Sequence, residues 1–219
     1  MATLPPGRWI LLAALGLGLG LAPVARATPV SIHFEGAVTA LEPTQAPLLV
    51  PGVAVDDPIS AVVTFDDAAA GPAGGVYAST GAPYGIEVQI GSLSLVSADL
   101  VNILVRNDWP LPPGVTLSDS YQAFAALESP VLVLNDALSI GAFDYTGQAL
   151  TSDVLPLEAA ALSGFASFYF AYQIPGSGGP IPTPITVVQG SLQPVPEPAR
   201  LVSIAMAGLC GVALRRRRR

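Results

Sequence analysis

The chain has 219 residues, of which 51% are hydrophobic and only 11% charged, against about 25% charged in an ordinary soluble domain. All nine basic residues are arginines, and sixteen carboxylates bring the net charge to −7. That hydrophobicity excludes a disordered acidic chain. The single cysteine excludes an internal disulfide framework, and the single histidine excludes a His-rich metal site.

The first segment reads as a signal peptide. Arg8 supplies a positive start, residues 9–21 are apolar, and Ala25-Arg26-Ala27 is a small-x-small cleavage site. Ala25 and Ala27 are the recognition positions, so signal peptidase is the expected partner and Thr28 the expected first residue of the mature chain. The apolar run is too short for a bilayer core of about 30 Å.

The body, residues 28–193, alternates polar and apolar side chains with the period of a strand. Ile59, Ala61, Val63 and Phe65 share one face of a strand. Ile86, Val88 and Ile90 share a face of another, with Tyr84 at its start, and Phe168, Phe170 and Tyr172 a face of a third, with Ala166 before them. Further strands are predicted over 30–38, 48–55, 93–96, 101–105, 121–127, 131–134 and 186–192, and one short helix over 157–162. Gly, Pro, Asn and Asp clusters separate them. Short, evenly spaced strands of this kind predict an all-β fold, an antiparallel β-sandwich of jelly-roll type.

The chemistry available to this body is narrow. His33 is alone in mid-strand, no thiol or lysine is present, and no Gly-x-Ser-x-Gly elbow occurs. Arg106 is its only cation, which argues against nucleic acid as a partner. Fifteen carboxylates remain. Asp-rich turns supply the oxygens that calcium prefers, so Asp56-Asp57 and Asp66-Asp67 are candidate ligands, as is Asn107-Asp108 with Asp119; turn capping is the favoured explanation of them, and no cofactor is otherwise expected. Trp109, in a Pro-rich loop, and Tyr77, Tyr84, Tyr121 and Tyr145 are candidates for stacking on a sugar, although the favoured role for Trp109 is to plug one end of the core. A non-enzymatic role leads. A carbohydrate- or calcium-binding module is the alternative, followed by a glycan-active enzyme with two carboxylates.

Residues 194–219 close the chain with Val195-Pro196-Glu197-Pro198, an apolar run from Leu201 to Leu214, and five terminal arginines, Arg215, Arg216, Arg217, Arg218 and Arg219. Fourteen helical residues rise about 21 Å. Arginine stems can snorkel to the headgroups, and a cluster on one flank holds that end in the cytoplasm. A single hydrophobic C-terminal helix is therefore expected to contact the membrane. Within it Cys210 reads as a small apolar residue, and Ala207 with Gly211 fits a small-x-x-x-small pairing pattern.

This order of Pro-Glu-Pro, short apolar helix and Arg cluster resembles the PEP-CTERM sorting signal. The resemblance covers residues 195–219, with Arg200 departing from the small or hydroxyl residue common there. It implies recognition of Pro196, Glu197 and Pro198 by an exosortase, a membrane cysteine protease-transpeptidase of Gram-negative bacteria. It also implies a transient inner-membrane anchor, followed by delivery to the cell surface or exopolysaccharide matrix. Four phrases in the body look like those of the same family: Gly36 to Thr39, Val63 to Asp67, Arg106 to Asp108, and Asp153 to Pro156.

Overall fold

The computed structural model describes residues 27–69, 75–97, 100–110, 118–127, 136–175 and 184–196. The signal segment up to Arg26, the strand predicted over 131–134, and Glu197, Pro198, the apolar tail and Arg215 to Arg219 lie outside the described residues.

Among the described residues, ten strands are present: β1 (Pro29–Leu41), β2 (Pro58–Asp66), β3 (Val76–Thr80), β4 (Gly85–Ile90), β5 (Leu93–Val96), β6 (Leu100–Trp109), β7 (Ser118–Ala126), β8 (Ala137–Asp144), β9 (Phe168–Pro175) and β10 (Pro184–Val195). Every pairing is antiparallel, and the ladder is continuous in the order β3-β6-β7-β8-β9-β10-β1-β2-β4-β5. The chain is thus all-β and antiparallel, as the alternation predicts, with all ten strands in one sheet. The sheet curls. β2 lies against β3 and β6, and β4 lies against β6 and β7. A bridge between Ser97 and Leu127 ties the end of β5 to the end of β7.

The core fills the curl. Ile59, Ala61, Val63 and Phe65 are buried on β2, as are Ile86, Val88 and Ile90 on β4. At its centre the Phe168 ring lies 5.2 Å from Phe34, 5.5 Å from Phe165 and 5.9 Å from Tyr121, all tilted or edge-on. Such aromatic pairs add about 0.5–1.5 kcal/mol each beyond the area they bury.

Three local expectations change. Residues 48–55 do not form a strand: helix α1 spans Ala46–Leu49, and turns follow it. Pro43, Pro47 and Pro51 punctuate the segment; each lacks the N–H that a ladder needs, whereas Pro47 is tolerated in the first helical turn. The helix predicted over 157–162 is only a 3₁₀ turn, Ala159–Leu162. Two strands were not predicted at all. β3 is five residues long, and β8 carries Gly141 in its middle, so each weakens the periodic signal.

Candidate functional site

The first and last strands of the body are neighbours at the middle of the sheet. β1 and β10 run antiparallel with His33 opposite Val195 and Glu35 opposite Gln193. β10 ends at Val195, where the Pro-Glu-Pro stretch begins. Proline has no N–H to give to a ladder, so alternate prolines are a natural stop. On β1, Pro29 to Ile32 pair with β2 on one side, and their other edge lies beyond the last β10 pair.

A groove of about 410 Å³ opens at this end. Thr28, Val30 and Ile32 form one wall, Leu157 and Ala159 another, and Pro196 stands at the exit of β10. The predicted start of the mature chain and the first residue of the predicted sorting motif therefore line the same groove.

The start of β1 is held firmly. Thr28 N–H donates to Asp67 Oδ1 at 2.9 Å, and Asp67 N–H donates back to the Thr28 carbonyl at 3.2 Å. This exchange joins the residue after Ala27 to the end of β2. Cleavage after Ala27, which the sequence predicts, would convert that amide into an ammonium, and a charge-assisted bond to a carboxylate is roughly twice as strong as a neutral one.

The calcium candidates occupy turns. Asp56 and Asp57 precede β2, and Asp66 and Asp67 end it; nine residues of strand at about 3.3 Å each set the pairs about 30 Å apart. They cannot share an ion. Asp57 Oδ2 accepts from Ala54 N–H, and Asp66 Oδ1 accepts from Ala68 N–H, each at 2.8 Å. Asp56 adopts φ 72°, the left-handed region that Asp tolerates in turns.

Asn107, Asp108 and Asp119 do meet, at a bulge where β6 leaves its register with β7. Asp119 is fully buried, accepting from Asp108 N–H at 2.9 Å and from Leu150 N–H at 2.7 Å. Asp153 accepts from Asn107 N–H. These carboxylates satisfy backbone donors, which is a structural task. Among the described residues, no three His, Cys, Asp or Glu side chains converge in a way that could hold a metal ion.

The aromatic candidates separate. Trp109 ends β6 rather than sitting in a loop, and it is 42% exposed, so it does not plug the core. The Arg106 guanidinium lies 4.3 Å over its ring, a cation–π contact. Tyr121 belongs to the core, and burial alone pushes its hydroxyl well above the usual tyrosine range. Tyr77 donates its hydroxyl to the Asp153 carbonyl at 2.6 Å. Burial first, then the charges of Asp66 and Asp67, raise Tyr84. Tyr145 is exposed just beyond β8 and stacks on Phe143. Phe143 escapes notice in the sequence because β8 does, and Tyr169 because it lies on the opposite face of its strand from Phe168, Phe170 and Tyr172. The signal was Leu138, Ile140 and Ala142 alternating with Ser139, Gly141 and Phe143. His33 is exposed on β1, between Val62 and Val195 of the neighbouring strands.

No family model, curated protein or solved structure matches this chain.

Proposed function

We propose that this chain is an exported cell-surface or matrix protein, non-enzymatic, whose body is released by processing at both ends. Signal peptidase cuts after Ala27. An exosortase recognises Pro196, Glu197 and Pro198 while the apolar tail and Arg215 to Arg219 hold the precursor in the inner membrane. The two wings of the curled sheet act as the layers of a sandwich, a body that remains folded through both cuts. The destination is the cell surface or the exopolysaccharide matrix.

The observation that supports this reading is the shared groove: Thr28 and Pro196 lie at the same end of the body. Two membrane-directed segments rooted at one end leave the rest of the body free to fold clear of the bilayer. Roots at opposite ends would force one tether to run the length of the sheet. The Thr28–Asp67 exchange anchors one root. The end of β10 against β1 anchors the other.

The charge division agrees with this reading. Residues 28–193 carry fifteen carboxylates against Arg106, a net of −14. Six arginines and Glu197 give the tail +5, and Arg8 and Arg26 give the signal segment +2. Basic ends favour the anionic cytoplasmic face of a membrane, and an acidic body does not.

Expression of the full chain with an exosortase in a Gram-negative host tests the reading, with intact-mass analysis of membrane and surface fractions. The expected product begins at Thr28 and lacks Arg215 to Arg219. The Pro196→Ala, Glu197→Ala, Pro198→Ala triple variant should keep the tail and stay in the membrane fraction. An identical mature mass for both proteins would overturn the assignment.

A further inference from the structure

The outer face of the sheet from β6 to β10 differs from the rest of the body. Three aromatic rings stand on it in sequence. Tyr145 and Phe143 have centroids 6.3 Å apart and planes within 13°; Phe143 and Tyr169 are 6.1 Å apart and within 8°. Phe143 is 48% exposed and Tyr145 61%. Large apolar rings grouped on a solvent face are what a binding surface requires and a monomer's surface otherwise avoids.

The backbone arranges this strip. Tyr169 on β9 lies opposite Gly141 on β8, and a methyl added at Gly141 would meet the Tyr169 ring at 2.8–2.9 Å. Only glycine lets the ring lie down across the strand there. Burial of the Tyr169 hydroxyl raises its pKa. Asp144 builds the next turn: Oδ1 accepts from Thr146 N–H and Oδ2 from Gln148 N–H, each at 2.9 Å. That turn sets Tyr145 beside Phe143.

The neighbours of the strip are neutral hydrogen-bonding groups. Gln122 lies opposite Gly141, Ser191 opposite Tyr169, and Ser139 one step along β8, whereas Ser120, opposite Phe143, is buried. None of the paired positions on this outer face, from β6 to β10, is Asp or Glu, although the body carries fifteen carboxylates. Asp144, between Phe143 and Tyr145 in the chain, has its carboxylate oxygens engaged by the turn that it caps.

We propose that the Tyr145–Phe143–Tyr169 strip binds an extended, neutral polysaccharide chain of β-linked pyranose units. The negative face of an aromatic ring attracts the weakly positive C–H edge of a pyranose, and amides and hydroxyls beside it serve the sugar hydroxyls. Near-parallel rings in sequence suit a ligand that stays flat along its length, and a helically coiled glucan does not. The −14 of the body repels an anionic glycan. The strip gives the matrix destination a chemical basis, yet its test does not depend on the tail being processed.

Affinity electrophoresis of the purified full chain, in native gels containing hydroxyethylcellulose or alginate, decides it. Hydroxyethylcellulose should retard the wild type, and alginate should not. Phe143→Ala and Tyr145→Ala should each weaken retardation at least tenfold. Leu48→Ala, which removes a still more exposed apolar side chain on α1, should change nothing. Phe143→Leu keeps apolar bulk without a ring, and it should behave as Phe143→Ala with an unaltered melting curve. No retardation of the wild type, retardation by alginate alone, or full retardation of both ring variants would overturn the proposal. A strip whose removal changes only self-association in sedimentation would overturn it too.

Discussion

Gly36→Ala separates tertiary geometry from strand propensity, because the two predict opposite signs. Gly36 lies in β1 opposite Leu192 of β10. In a strand interior, alanine costs the unfolded chain fewer conformations than glycine, and the substitution alone would stabilise by about 0.5–1 kcal/mol. In this fold the added methyl would meet the Ser191 carbonyl oxygen at 1.9 Å and the Leu192 Cα at 2.9 Å. Carbon atoms in contact prefer about 3.5 Å or more, so the strands would have to part by about 1.5 Å. Both obstacles are backbone, and no side chain can swing away. Overpacking of this kind costs about 1–3 kcal/mol, and a weakened ladder bond adds about 1 kcal/mol. Less the propensity gain, the expected net loss is about 1–3 kcal/mol. At about 2–4 °C per kcal/mol for a body of this size, Tm should fall by roughly 5–10 °C. Thermal unfolding of the full chain by circular dichroism measures it. Gly52→Ala serves as the comparison: φ is +82° and nothing lies within 4 Å, so only about 1 kcal/mol of backbone strain is expected. A Gly36→Ala protein that melts at or above the wild-type temperature would refute the close approach of β1 and β10, and with it the shared groove at their ends.

Two further outcomes follow from the core and from the turn after β8. Phe168→Ala should cost about 3–5 kcal/mol by chemical denaturation, because Phe168 is 1% exposed and contacts three other rings; a loss below 1 kcal/mol would mean that the curl is not closed around it. Asp144 has its carboxyl held below the usual carboxylate range, chiefly by the Gln148 and Thr146 backbone N–H groups. A depressed folded pKa contributes stability that is present above the ordinary carboxylate pKa and is lost as pH falls through the folded value. The Tm difference between wild type and Asp144→Ala should therefore be present at neutral pH and shrink in acid; a difference that grows in acid would have the wrong sign.

How much was legible in the sequence can be argued strand by strand. β2 and β4 were readable because Ile59 to Phe65 and Ile86 to Ile90 alternate without interruption, and every predicted inward residue of these runs is buried. β8 was not, because Gly141 and Ala142 dilute the alternation. The reason for that glycine, the Tyr169 ring lying over it, sits on another strand. Trp109 read as a loop residue from its neighbouring prolines. The bulge at Asn107–Asp108, with Asp108 at φ 52°, carries β6 three residues further. The 48–55 stretch has strand-like apolar content, but its prolines end that option locally.

Composition and local pattern determine an all-β body, its turn positions, the two apolar ends and the separation of −14 from the basic flanks. Each depends on neighbouring residues alone: strand periodicity, missing proline donors, charge counts over a segment. Pairing order depends on residues far apart in the chain. Nothing local says that β10 returns to β1, which sets Thr28 beside Pro196. Nor does it say that Phe143 and Tyr169 stack across β8 and β9. Contacts between distant segments made those juxtapositions, because the sheet had to curl to bury its apolar face.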